Sequence, residues 1–137
     1  MPKHKNLVFI VDDDPDDRQI ILDAFLENDT DMDYVFCENG DELMDALKDC
    51  KNPNTDFPAL ILLDLNMPGM LGLQALKEIK GDSKYQQIPT VILTTSSLPS
   101  DRASSFELGA NCFITKPARY EDLVEITKAI GKMWFAE

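Results

Sequence analysis

Ala59-Leu60-Ile61-Leu62-Leu63-Asp64-Leu65-Asn66 is a short apolar run that stops on a carboxylate. It is strand-length and shows no polar alternation, which fits a strand covered on both faces, as in a parallel sheet. Runs of the same character recur at Leu7–Val11, Tyr34–Cys37, Thr90–Leu93 and Cys112–Thr115. Stretches with helical spacing follow each one. After the first, Asp14-Pro15-Asp16-Asp17 supplies a cap, a proline at the first helical position and acids in the first turn. Ile21 and Phe25 then share a helix face, as do Ile20 and Ala24. The other segments are Asp41–Cys50, Leu71–Lys80, Ser100–Leu108 (stopped by Gly109) and Tyr120–Trp134.

Five β-α pairs in succession predict an α/β fold. Its core is a doubly wound five-stranded parallel sheet with right-handed crossovers and five helices on its two faces. Ligands in such sheets bind beyond the carboxyl ends of the strands. The stretch from Lys51 to Pro58 reads as a loop, because the β-α pattern resumes directly after it. One domain spanning 1–137 is expected, with no output module attached.

Composition narrows the function classes. The 137 residues carry a formal net charge of −12, from 25 acidic and 13 basic side chains. Such a surface repels nucleic acid and anionic membrane, so neither is an expected partner. Cys37, Cys50 and Cys112 are odd in number and widely spaced, which fits free thiols in a reducing cytosol. The one histidine, His4, sits in a short basic leader with Lys3 and Lys5, away from every strand end. That argues against histidine-dependent triads and zinc hydrolases. The apolar run Leu7–Val11 is too short for a signal peptide or a membrane span.

The chemistry lies at the strand ends. Asp12 and Asp13 end the first strand, Asp64 the third, Thr94 the fourth and Lys116 the fifth. With strand order 2-1-3-4-5, the first and third strands are neighbours and the three carboxylates crowd together. Either their pKa values rise or a cation sits among them. Oxygen-only donors at an open site favour Mg2+ with a phosphate as a further ligand. Thr94 would donate a hydroxyl to that phosphate and Lys116 would neutralise it. Taken singly, each residue has a plainer reading: Asp12 to Asp17 as a helix cap, Asp64 as a turn residue, Thr94 as a strand-end hydroxyl and Lys116 as a surface lysine. Asp14, Asp16 and Asp17 are assigned to capping and first-turn charge alone.

Together these residues resemble the receiver domain of two-component response regulators, a flavodoxin-like fold, over about Leu7 to Trp134. The motifs are Val11-Asp12-Asp13-Asp14-Pro15, Leu62-Leu63-Asp64 running on to Met67-Pro68-Gly69-Met70-Leu71-Gly72, Leu93-Thr94-Thr95-Ser96, and Lys116-Pro117. Thr94 follows Asp64 by 30 residues and Lys116 follows Thr94 by 22, and the family shows the same intervals. The resemblance implies that Asp64 is the phosphoacceptor. It implies Mg2+ ligation by Asp12 (mostly through water), Asp13, Asp64 and the backbone carbonyl of Asn66. Lys116 would hold the phosphoryl group, with a cis Lys116–Pro117 peptide placing it. Thr94 and Phe113 would form a switch pair, the aromatic ring turning inward on phosphorylation; a plain core role for Phe113 stays open. The implied partners are a sensor histidine kinase or phosphotransfer protein and a downstream protein that meets the fourth helix, fifth strand and fifth helix. The setting is cytoplasmic, with no turnover enzyme activity beyond self-phosphorylation and autodephosphorylation. Oligomeric state is left open.

The chain departs from the pattern at Thr95, bulkier than the small residue usual after the switch hydroxyl, and at Ala118, where a large apolar residue is common. The interval of 51 residues from Asp13 to Asp64 is longer than in compact relatives, with the excess in the loop before Pro58. Two enzyme-type or carrier readings fail on residues. A haloacid-dehalogenase-like phosphatase needs a second acid two residues after its nucleophile, where this chain has Asn66. An FMN carrier needs a phosphate loop where Asp12-Asp13-Asp14 would repel the phosphate. The remaining rival is a binding module of the same fold that works without phosphorylation.

Overall fold

The computed structural model describes residues 6–28, 32–50, 57–67 and 72–135. The elements are β1 (Asn6–Val11), α1 (Pro15–Leu26), β2 (Met32–Cys37), α2 (Gly40–Lys48), β3 (Leu60–Leu63), α3 (Gly72–Lys80), β4 (Thr90–Thr94), α4 (Pro99–Glu107), β5 (Cys112–Thr115) and α5 (Tyr120–Trp134). The five strands form one parallel sheet in the order β2-β1-β3-β4-β5. The expected architecture and strand order are both present. The basic leader around His4, residues 51–56 of the loop and the Pro68-Gly69 turn lie outside the described residues.

Side chains alternate across the pleat and feed two separate cores. Phe9, Val11, Ile61, Leu63, Ile92 and Phe113 face one side, where Leu43 and Leu47 of α2 and Ala75, Leu76 and Ile79 of α3 cover them. Val8, Ile10, Leu60, Leu62, Val91 and Leu93 face the other, against Ile21, Ala24 and Phe25 of α1 and Leu123 and Ile130 of α5. A polar bridge joins the two helices on this second side. Thr127 Oγ1 donates to the Ala24 carbonyl at 3.2 Å and accepts from Asn28 Nδ2 at 3.0 Å.

Coverage on both faces holds for β1, β3 and β4 but not for β2. Val35 and Phe36 of that strand are exposed. As an edge strand it borders solvent, and Phe36 is instead overlaid by the Arg18 guanidinium, 5.6 Å from the ring centre. Ile20 also departs from expectation. It lies one turn before Ala24, but Ala24 is buried while Ile20 stays exposed at the rim of α1.

Helix ends follow local chemistry. Asp14 caps α1 by accepting from the Asp16 N–H at 2.9 Å, with Pro15 directly after it. α4 closes in a Schellman arrangement, with Gly109 N–H donating to the Phe106 carbonyl and Ala110 N–H to that of Ser105. Gly109 sits at φ +105°, a conformation strained for any other residue.

Gly72 has a different reason to be glycine. It opens α3 pressed onto the peptide that follows β3, and its N–H donates to the Leu65 carbonyl at 3.2 Å. A Cβ there would collide with the backbone carbonyl of Asp64 and stand 2.5 Å from Leu65 Cα. Backbone cannot step aside as a flexible side chain can, so α3 would have to move off the Asp64 loop. Gly72→Ala is therefore expected to destabilise the fold by about 2 kcal/mol or more, read as a lower urea midpoint in equilibrium unfolding.

Candidate phosphoacceptor site

Strand register delivers the site. Val11 of β1 pairs with Leu63 of β3, so the next residues, Asp12 and Asp64, emerge side by side. The backbone continues the ladder beyond them: Asp12 N–H donates to the Cys37 carbonyl and Asp64 N–H to that of Val11, both at 3.0 Å. On the other side Thr94 pairs with Thr115, and Lys116 N–H donates to the Thr94 carbonyl at 2.7 Å. Asp12, Asp64 and Thr94 are buried, whereas Asp13 is exposed.

Asp12, Asp13 and Asp64 each offer a carboxylate oxygen within 4.8 Å of the others. All-oxygen donors of this kind, two buried and one open to water, suit a hard divalent cation that keeps part of its hydration. Lys116 reaches into the same cluster. Its Nζ donates to Asp12 Oδ2 at 2.6 Å, Asp17 Oδ2 at 3.0 Å and Asp64 Oδ2 at 3.4 Å. Burial works against the Lys116 ammonium, but hydrogen bonds to Asp12 and Asp17 and the charges of Asp12 and Asp64 outweigh it, leaving its pKa raised. Burial also raises the Asp12 pKa, and the Asp64 charge adds to that; the bonds from Lys116 and the Asp14 N–H offset only part of it. The lysine is thus firmly charged, while the most buried carboxylate remains under electrostatic pressure.

Arg18 and Asn66 tie the site to its surroundings. Arg18 Nη1 donates to the Asp12 carbonyl at 2.7 Å and fixes the turn that carries the carboxylate. The Asn66 N–H donates to Asp64 Oδ1 at 3.2 Å, and its side-chain amide to Thr95 Oγ1 at 3.4 Å. The bulk at Thr95 is therefore met by a polar contact between the loops after β3 and β4. Thr94 Oγ1 accepts weakly from the Ser96 N–H at 3.4 Å. Phe113 is buried with its ring inward, and Arg102 of α4 lies over it at 5.9 Å and over Phe106 at 5.2 Å.

One expectation is corrected. The Lys116–Pro117 peptide is trans, as are all peptides among the described residues. The tertiary amide before proline favours trans by roughly 0.5–1 kcal/mol, and the lysine reaches Asp12 and Asp64 without the cis form. Two residues at the site went unassigned in the sequence. Asp17 carried only a helix-terminus reading, and Arg18 none. Asp17 sits four residues after Asp13, on the side of α1 that packs toward α5. That placement joins it to Lys116 only once α1 and α5 are known to share a face.

The response regulator receiver domain matches residues 8–128. The chain belongs to that family. Receiver domains serve two-component signalling, and relatives match this one over nearly its whole length. Response regulator Rcp1 of Synechocystis sp. is 32% identical over 129 residues, covering 93% of this chain and 88% of Rcp1. The phosphorylated cyanobacterial phytochrome response regulator RcpA superposes with a TM-score of 0.86 at 36% identity, covering 98% of this chain and 96% of RcpA. The Mn2+-bound form of Rcp1 superposes with a TM-score of 0.82 at 30% identity, over 94% of each chain. Among the described residues, no helix of this receiver domain is long and apolar enough to cross a membrane. None of Cys37, Cys50 and Cys112 forms a disulfide among the described residues, and burial beside the Glu42 charge pushes the Cys37 thiol up to about 12.

The pressure on Asp12 has a measurable sign. A carboxyl whose folded pKa lies above its unfolded value loses stability as pH rises through the folded value. Asp12→Asn should therefore melt higher than wild type at neutral pH in EDTA, by a few degrees, the size of a ~1 kcal/mol change in a domain of this length. The gain should shrink as pH falls toward the ordinary carboxyl range, which thermal melts at stepped pH would record.

Proposed function

We propose that Asp64 of this receiver domain accepts a phosphoryl group from a phosphohistidine on a sensor histidine kinase or phosphotransfer protein. The observation that carries the reading is the convergence of Asp12, Asp13 and Asp64 within 4.8 Å, with Lys116 Nζ on two of them. In the transfer, an Asp64 carboxylate oxygen forms a bond to phosphorus as the phosphorus–nitrogen bond of the donor breaks. The electron pair stays on the imidazole nitrogen, which then takes up a proton. The product is an acyl phosphate on Asp64. Mg2+ bound by Asp12, Asp13, Asp64 and the Asn66 carbonyl would neutralise charge on the transferring group.

The chain's own residues do the rest. Asp64 is held by the Asn66 N–H at one oxygen and faces Lys116 with the other. Lys116, charged and largely buried, balances the phosphoryl charge as a point cation. Among the described residues Thr94 Oγ1 has only a weak acceptor role toward the Ser96 N–H, which leaves its hydroxyl hydrogen to turn to the phosphoryl oxygens. Thr94 and Phe113 act as the switch pair, and the inward ring seen here is one side of its equilibrium. The Arg102 contacts connect that ring to α4, so the surface of α4, β5 and α5 reports the change to a downstream protein. The likeness to the cyanobacterial phytochrome response regulator RcpA favours a phytochrome-type kinase as the source of the phosphoryl group.

Incubation with acetyl phosphate and Mg2+ should add one phosphoryl mass to the intact wild-type chain and none to Asp64→Asn. An unlabelled wild type, or equal labelling of the variant, would sink the assignment and leave a binding module that works without phosphorylation. Lys116→Ala should still bind Mg2+ but fail to pass the signal to a downstream partner in a pull-down after labelling. Unchanged partner binding by that variant would remove Lys116 from the switch.

A further inference from the structure

Lys116 is shared between two kinds of carboxylate. An ammonium has three N–H donors, and here they meet Asp12, Asp17 and Asp64 at 2.6, 3.0 and 3.4 Å. Asp12 and Asp64 also belong to the trio whose oxygens converge within 4.8 Å. A divalent cation on that trio and the lysine ammonium would compete for the same oxygens. Asp17 is different. It comes from the first turn of α1, stands outside the trio, and its side chain is 38% exposed against 2% for Asp12.

We propose that Asp17 is a positioning residue for Lys116. It gives the ammonium a partner of its own at the rim of the site. Asp12 and Asp64 can then turn to a divalent cation and a phosphoryl group while the lysine stays beside them. The inference rests on the reading of Asp64 and the trio given above, and it adds a residue to which that reading assigns no role. The lysine side chain is only 14% exposed, so it cannot satisfy its three donors with water when it gives up the inner carboxylates. Without Asp17, its remaining carboxylate partners are Asp12 and Asp64 themselves, and it would oppose the cation more strongly.

The plain alternative is that Asp17 is a first-turn acid favoured by the helix terminus. Asp16 is the internal control. It sits in the same turn with the same charge, is exposed, and is not among the hydrogen-bond or ion-pair partners of Lys116 within the described residues. Both substitutions remove one negative charge near the site, so charge alone predicts similar effects.

Mn2+ affinity, measured on the full chain by titration calorimetry, separates the two. Asp17→Asn should weaken Mn2+ binding about fivefold, and Asp16→Asn by less than about twofold. In a Lys116→Met background the Asp17→Asn change should fall below about twofold, because its effect acts through the lysine. Asp17→Glu should recover most of the wild-type affinity. Equal losses for Asp16→Asn and Asp17→Asn, or an undiminished loss in the Lys116→Met background, would overturn the inference while leaving Asp64 labelling by acetyl phosphate intact. A wild-type chain that takes up no Mn2+ would overturn the cation reading and this inference with it.

Discussion

Mutual repulsion among carboxylates at one end of the sheet, held in check by Lys116, is the constraint around which this domain is arranged. Asp12, Asp13 and Asp64 lie within 4.8 Å of one another, and two of them are buried. Unpaired buried charge is costly, and a pair of like charges costs more in a partly desolvated site. Lys116 answers part of that cost and is itself held by three carboxylates. Burial, with a smaller contribution from the Asp64 charge, still holds the Asp12 pKa above the ordinary carboxyl value. Surplus negative charge at the strand ends favours a divalent cation, in keeping with the phosphoryl transfer to Asp64 proposed above.

The rest of the fold serves to keep these groups from moving apart. The ladder runs past the ends of β1 and β3 through the Asp12 and Asp64 amides, so both carboxylates start from fixed backbone. Arg18 holds the Asp12 carbonyl through its guanidinium. Gly72 lets α3 begin directly against the Asp64 peptide, where no side chain fits. On the opposite flank, packing of α1 against α5 brings Asp17 toward Lys116, and the Thr127–Asn28 bridge locks that pairing. Electrostatic strain at the strand ends is thus carried by two close-packed cores that alternate across the sheet.

Most of this is legible in the sequence. Period and length of the apolar runs gave the five strands, and Asp14, Pro15 and Gly109 marked helix ends by local chemistry that needs no tertiary information. The acids, the hydroxyl and the lysine were legible because each closes a strand. What escaped had a common cause. Val35 and Phe36 looked like a buried strand, since an apolar run does not reveal that it lies at a sheet edge. Ile20 shares a helical repeat with Ala24, but only the position of α5 decides which of the two is covered. The cis peptide expected before Pro117 was unnecessary, because the trans chain already brings the amine to its partners.

By itself, the sequence determined the α/β order, the two-faced burial of the central strands and the placing of Asp12, Asp13, Asp64, Thr94 and Lys116 at strand ends. Those follow from periodicity and from local steric and capping preferences, which act over a few residues. Only the tertiary structure decided which charges meet. Asp17 and Lys116 are 99 positions apart and pair at 3.0 Å because two helices pack on one face of the sheet. Asn66 meets Thr95 across two loops for a similar reason. Contacts between distant segments depend on how faces pack, and a one-dimensional pattern carries the faces but not their partners.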